Sequence, residues 1–144
     1  MRLDWQQAQD DFETHYKQLR AYVWRVPDAA EGVGRSGGKI NRNVREAPCD
    51  FIVTHEGVTF HAEVKTTADK NTFKFSNVRK EQWKACTMIT RSGGDYRFLV
   101  KHLTTGIWYD IPGAYVLEKK ENGAGSIKFD DIQCMKTAIL GEMH

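Results

Sequence analysis

Apolar positions along this chain recur with two periods, and those periods divide it into helices and strands. From residue 4 to about residue 20, Trp5, Ala8, Phe12, Tyr16 and Leu19 return at helical spacing and make one apolar stripe, with Asp4 placed to cap the start. Tyr22-Val23-Trp24-Arg25-Val26 reads as a strand that Pro27 ends. Residues 28 to about 47 are rich in Gly, Ser, Asn and charge and have no period, and so long a connection in a compact domain points to a functional loop. Asp50-Phe51-Ile52-Val53-Thr54 reads as a strand, His55-Glu56-Gly57 as a turn, and the residues from Val58 to Lys65 as a strand returning antiparallel. There Val58, Phe60, Ala62 and Val64 alternate with Thr59, His61, Glu63 and Lys65. Period-2 alternation therefore sends Glu63 and Lys65 out of the same face.

Downstream, Ser76 or Asn77 can cap a helix running to about Arg91, with Val78, Gln82, Ala85, Cys86 and Ile89 on one side. The runs from Tyr96 to Val100 and from Ile107 to Ile111 flank Thr104-Thr105-Gly106 and predict a second hairpin. A short helix is expected from about residue 130 to residue 140. These elements predict an α/β fold, a mixed central sheet flanked by helices. Trp83 and Trp108 read as packing residues, while Trp108, Tyr109 and Ile111 suit either the core or an interface.

The 144 residues suit one domain over 1–144, long enough to bury a core without disulfide staples. Cys49, Cys86 and Cys134 are odd in number and show no C-x-x-C spacing, which argues against a disulfide framework and a zinc knuckle. No apolar run approaches the roughly 20 residues of a membrane span, and the first residues lack a signal peptide's apolar stretch. A cytoplasmic location, in a bacterium or as a phage protein in its host, with no membrane partner, is the expectation. The net charge of +2 is too small to identify a polyanion-binding protein by itself. Its distribution says more. The segment from Gly34 to Arg45 carries Arg35, Lys39, Arg42 and Arg45 and no acid, and a second basic stretch holds Lys65, Lys70, Lys74, Arg79, Lys80 and Lys84. Such spacing suits contacts to a nucleic-acid backbone.

Asp50 opens one strand of the first hairpin and Glu63 lies late in its partner, so the two carboxylates are neighbours. They repel unless a cation lies between them. An oxygen-only set, to which the Val64 carbonyl can add, suits Mg²⁺ or Mn²⁺ better than zinc. Lys65, one pleat beyond Glu63, is placed to help deprotonate or orient an attacking water and to offset charge developing on a phosphate. The competing reading is an ordinary salt-bridged Glu-x-Lys strand. Against it stand the apolar run Phe51-Ile52-Val53, which suggests a strand covered on both faces, and the basic segments flanking the same hairpin. His61 shares the face of Glu63 and Lys65, where a structural role competes with a phosphate contact. Thr66, Thr72 and Lys74 are candidates to contact DNA phosphates.

Pro48-Cys49-Asp50 followed by Glu63-Val64-Lys65 resembles the PD-(D/E)-x-K nuclease superfamily. The ordered set, with Gly57 before the second strand, Thr66-Thr67 and Thr72-Phe73-Lys74-Phe75 after it, then Glu81-Gln82, resembles the RecU-like and Hjc-like Holliday junction resolvases over roughly residues 8 to 111. Phe12-Glu13 matches the acidic residue on that family's first helix. The resemblance implies a restriction-endonuclease-like fold and a Mg²⁺-dependent homodimer making paired cuts in four-way DNA junctions. It implies that Asp50 and Glu63 bind metal, Lys65 serves the water, Glu13 completes the acidic cluster and Gln82 supports the site. From pattern alone, Glu13 reads equally as an exposed helix residue and Gln82 as a helix-boundary residue. Cys49, between the Pro and the Asp, departs from the pattern. The alternatives are a restriction-like or repair nuclease with another DNA substrate, and a non-catalytic DNA-binding module of the same fold.

Overall fold

A computed structural model describes residues 2–27 and 47–140. Helix α1 (Asp4–Gln18) is followed by strands β1 (Tyr22–Arg25), β2 (Phe51–His55), β3 (Val58–Thr67) and β4 (Thr72–Lys74). Helix α2 (Lys80–Arg91), strands β5 (Tyr96–His102) and β6 (Trp108–Pro112), helix α3 (Gly113–Glu121) and strands β7 (Ser126–Lys128) and β8 (Lys136–Thr137) complete it. The central sheet runs β1-β2-β3-β5-β6-β8, with β3 and β5 parallel and its other pairs antiparallel. A two-stranded sheet, β4-β7, stands apart from it. This is the mixed sheet flanked by helices that the periodicities predict.

The first hairpin closes on Glu56 and Gly57, both at positive φ, so the turn is of the primed kind whose twist matches the flanking strands. His55 therefore pairs with Val58, and that register passes down the ladder to Phe51 opposite Ala62. Alternation then sorts the side chains. Phe51, Val53, Phe60, Ala62, Val64, Leu99 and Trp108 meet Ala8, Phe12 and Tyr16 of α1 on one face. Phe98, Val100, Tyr109 and Ile111 point to the other, where Cys86 of α2, Val116 and Leu117 of α3, and Phe73 and Ile127 of the small sheet close a second core. Trp108, Tyr109 and Ile111 are all buried, so the core reading holds for them within this chain. Trp5 and Leu19, the outer members of the α1 stripe, stay exposed.

Local differences have identifiable causes. Leu3, not Asp4, takes the capping position of α1, its N–H donating to Gln6 Oε1 at 3.1 Å. Helix α2 begins at Lys80 rather than at residue 77 because Phe75–Asn77 forms a 3₁₀ turn and Val78 and Arg79 are extended. The expected helix over residues 130 to 140 is absent. Phe129–Met135 forms 3₁₀ turns broken at Ile132, and pairing of β8 with Trp108 and Tyr109 draws the chain out straight. Helix α3, which the pattern did not announce, forms instead at Gly113–Glu121. A side chain on Gly113 would meet the Tyr96 carbonyl at 2.6 Å and Cys86 Sγ at 2.9 Å, so glycine is what lets this helix start against β5 and α2.

Candidate active site

The site grows out of the place where β2 runs out beside β3. Strand β3 is ten residues long; its first half pairs with β2 and its second half with β5. Asp50 N–H still reaches the Ala62 carbonyl at 3.0 Å, but the Asp50 carbonyl accepts from Val26 of the opposite neighbour at 2.9 Å. In a regular strand both groups leave by the same edge, so the chain bends at Asp50 and the ladder stops. The Asp50 carboxylate takes over the next position, its Oδ2 accepting the Val64 N–H at 2.8 Å. A strand residue's carbonyl leaves by the same edge as its N–H, so the Val64 carbonyl faces the Asp50 side of β3, beyond the last pairing with β2.

Glu63 is 3% exposed and Gln82 is 2% exposed, an unusual depth for both residue types, and they are bonded to each other. Gln82 Nε2 donates to Glu63 Oε1 at 2.9 Å. Gln82 Oε1 accepts from Lys65 Nζ at 2.8 Å and from the Arg79 backbone N–H at 2.9 Å. One amide of α2 thus joins the acid and the base of β3 and is itself locked by the first turn of its helix. Burial raises the pKa of Glu63 well above the usual carboxylate value, and the Asp50 charge adds to the rise. Burial also raises Asp50, opposed by its hydrogen bonds to Glu63 and the Val64 N–H. The two carboxyl groups act on each other, Asp50 raising Glu63 and Glu63 lowering Asp50, as closely placed acids do. Burial lowers the Lys65 pKa against the pull of both carboxylates.

These groups fit a divalent oxygen-seeking cation. Among the described residues no backbone or side-chain N–H reaches Asp50 Oδ1 or Glu63 Oε2, and the Val64 carbonyl faces the same side. A cation would relieve the repulsion that burial has intensified. Tyr96 supports the arrangement from β5, its hydroxyl donating to the Pro48 carbonyl at 2.7 Å and so tethering the segment that presents Asp50. Cys49 beneath it is 2% exposed, and burial followed by the two carboxylates pushes its thiol up to about 12. It is a packing residue without thiolate reactivity.

Asp50, Glu63, Lys65, Gln82 and the Val64 backbone are brought together. Glu13 is not part of that set. Its carboxylate pairs with Lys17 at 2.8 Å and Arg25 at 3.4 Å, and α1 packs on the face opposite Glu63. Among the described residues no three His, Cys, Asp or Glu side chains converge. Thr66 alternates onto the α1 face, away from Glu63 and Lys65. Thr72 and Lys74 sit on the small sheet, where Asp69 accepts the Thr72 N–H at 3.0 Å and pairs with Lys74 at 3.4 Å. Arg35, Lys39, Arg42 and Arg45 lie outside the described residues. His61 stacks on Tyr96, with ring centroids 6.5 Å apart and planes 9° apart, one pleat from Glu63.

Tyr96 and Arg79 also border the site, though the sequence pattern marks Arg79 only as part of a basic stretch and Tyr96 only as part of a strand. Tyr96 reaches it only through the parallel pairing of β3 with β5, for which no short-range signal exists. Arg79 had one. It stands three residues before Gln82, the spacing of a capping box, but with arginine where serine or threonine is usual.

No family model and no curated protein matches the chain. Among solved structures it is similar to Hjc, a Holliday junction resolvase of the archaeal hyperthermophile Archaeoglobus fulgidus, with a TM-score of 0.56 and 16% identity over 91% of each chain. A likeness at that identity speaks to architecture, and the chain has the restriction-endonuclease-like fold of that structure.

Proposed function

We propose that this chain is a divalent-metal-dependent DNA endonuclease acting on four-way junctions. The observation that carries the reading is the adjacent pair of half-buried Asp50 and buried Glu63, each with an oxygen that no N–H reaches among the described residues, and Lys65 tethered beside them through Gln82. The neighbour's fold and its description as a Holliday junction resolvase support the choice of branched DNA. Asp50, Glu63 and the Val64 carbonyl would hold the metal, Mg²⁺ or Mn²⁺ by the chemistry of an oxygen-only set. When bound, such an ion lowers the pKa of a coordinated water and offsets charge on a phosphoryl oxygen.

The chain's own groups do the remaining work. Glu63 and Asp50 fix where the attacking water sits. Lys65 lies one pleat from Glu63, and burial lowers its pKa; as the neutral amine it would take the proton that the water loses, and as the ammonium it would orient that water and offset charge on the phosphate. Gln82 prevents Lys65 from collapsing onto Glu63 by giving the ammonium an oxygen of its own. Paired cuts in a junction need two such sites, so the active species is a twofold homodimer. Arg35, Lys39, Arg42 and Arg45 are candidates to grip the phosphate backbone.

The test is cleavage of a synthetic four-way junction and a linear duplex of the same sequence, with Mg²⁺, Mn²⁺ or EDTA. The reading expects symmetric nicks in the junction only with metal. It expects a loss of about 10²-fold or more for Asp50→Asn and Lys65→Ala. Equal cutting of duplex and junction would leave a nuclease with another DNA substrate. Binding without cutting under every metal would leave a non-catalytic module. Light scattering should give twice the 16.5 kDa chain mass.

A further inference from the structure

We propose that Arg79 is a phosphate clamp of this site, its guanidinium holding a non-bridging oxygen of the phosphodiester that Asp50, Glu63 and Lys65 attack. This deepens the nuclease reading and rests on it. Arg79 lies at the start of α2, and its backbone N–H donates to the same Gln82 oxygen that Lys65 Nζ contacts. The backbone of Arg79 and the ammonium of Lys65 are therefore each one hydrogen bond from a single atom. That atom belongs to the amide that also grips Glu63. From this anchor the arginine side chain starts one hydrogen bond from the amide that holds both Glu63 and Lys65. Its positive charge already acts on Asp50, Glu63 and Lys65.

The rest of the residue's setting fits a ligand contact better than a structural one. Its side chain is exposed, and among the described residues no carboxylate lies within ion-pair distance of it. Other arginines are engaged: Arg25 by Asp10 and Glu13, Arg91 by Glu121, Arg97 by Asp95 and Asp110. An unpaired arginine fork beside buried acids would otherwise only weaken any metal there, unless an anion completes the charge balance. A phosphate does, and the fork matches two of its oxygens. The contact strengthens as charge builds on those oxygens during attack.

The side chain can be removed without touching the scaffold, because the bond to Gln82 comes from the Arg79 backbone. Arg79→Ala and Arg79→Lys are compared with wild type in two measurements. The first is binding of a synthetic four-way junction with Ca²⁺ in place of Mg²⁺, followed against salt. Arg79→Ala should lower the slope of log K against log salt by about 1, and Arg79→Lys should restore it. The second is single-turnover cleavage with Mg²⁺, where Arg79→Ala should lose about 10²-fold in rate at saturating DNA and Arg79→Lys should recover only part. An unchanged slope and rate in Arg79→Ala would overturn the clamp. If the wild type binds DNA but never cuts it, the nuclease reading falls, and a slope reduced at Arg79 still assigns it to a phosphate. If the wild type binds no DNA, both fall.

Discussion

Replacing Gln82 by methionine is the sharpest test of how this site is assembled. The two side chains are close in volume and both suit a helix, so the change deletes polarity more than shape. It removes three hydrogen bonds: from Gln82 Nε2 to Glu63 Oε1, from Lys65 Nζ to Gln82 Oε1, and from the Arg79 N–H to the same oxygen. Their environments differ. Glu63 is sealed at 3% exposure and has no water to replace its lost donor, whereas Arg79 is exposed and Lys65 only half-buried. A hydrogen bond to a buried charged group is worth about 1.5–3 kcal/mol, and the two wetter ones add less. The expected destabilisation is about 2–4 kcal/mol. For a domain of this size, about 3–4 °C accompanies each kcal/mol, so the melting temperature should fall by about 6–16 °C. Urea denaturation at pH 7 in EDTA reads the free energy directly, with an unchanged m-value showing that the folded state remains compact. Metal-dependent cleavage should fall by about 10²-fold in kcat, because Lys65 loses the oxygen that orients it. A stability loss below about 0.5 kcal/mol, with cleavage intact, would refute the claim that Gln82 joins Glu63 to Lys65.

Burial raises the pKa of Glu63, and a raised carboxyl opposes folding once the unfolded chain ionises. The penalty is absent below about pH 4, grows as pH rises above the ordinary glutamate range, and is complete above the folded-state value. Without metal, Glu63→Gln should therefore be more stable than wild type at pH 8 and match it near pH 4. Thermal melts in EDTA across that range check this, and wild type leading at pH 8 would contradict it. Addition of Mg²⁺ should raise the melting temperature of the wild type more than that of Asp50→Asn, read in the same instrument at constant pH. Gly113→Ala should destabilise by about 1–3 kcal/mol, because its methyl would meet the Tyr96 carbonyl and Cys86 Sγ; an unchanged urea midpoint would disprove that close approach. Phe12→Ala should cost about 3–5 kcal/mol by emptying the contact of α1 with Phe51 and Tyr16, whose rings lie 4.9 and 4.8 Å from its own. Calorimetry measures it, and a loss under about 1 kcal/mol would mean that α1 does not close that face.

Sequence alone determined what depends on neighbours along the chain. Period-2 alternation put Glu63 and Lys65 on one face, and the Glu56-Gly57 turn set the register that returns β3 past Asp50. The helical stripe of Ala8, Phe12 and Tyr16 identified the buried face of α1. Tertiary structure decided what depends on elements far apart meeting. Parallel pairing of β3 with β5 joins segments about 35 residues apart, and it brings the Tyr96 hydroxyl to the Pro48 carbonyl. Docking of α2 turned Gln82 from one polar residue in an apolar stripe into the bridge between acid and base. Packing of α1 on the opposite face tied Glu13 to Lys17 and Arg25 instead of to the carboxylates. The segment after β6 was misread for the same reason. Whether residues 130 to 140 coil or extend is decided by the edge that β6 offers to β8, and a local pattern carries no record of that edge.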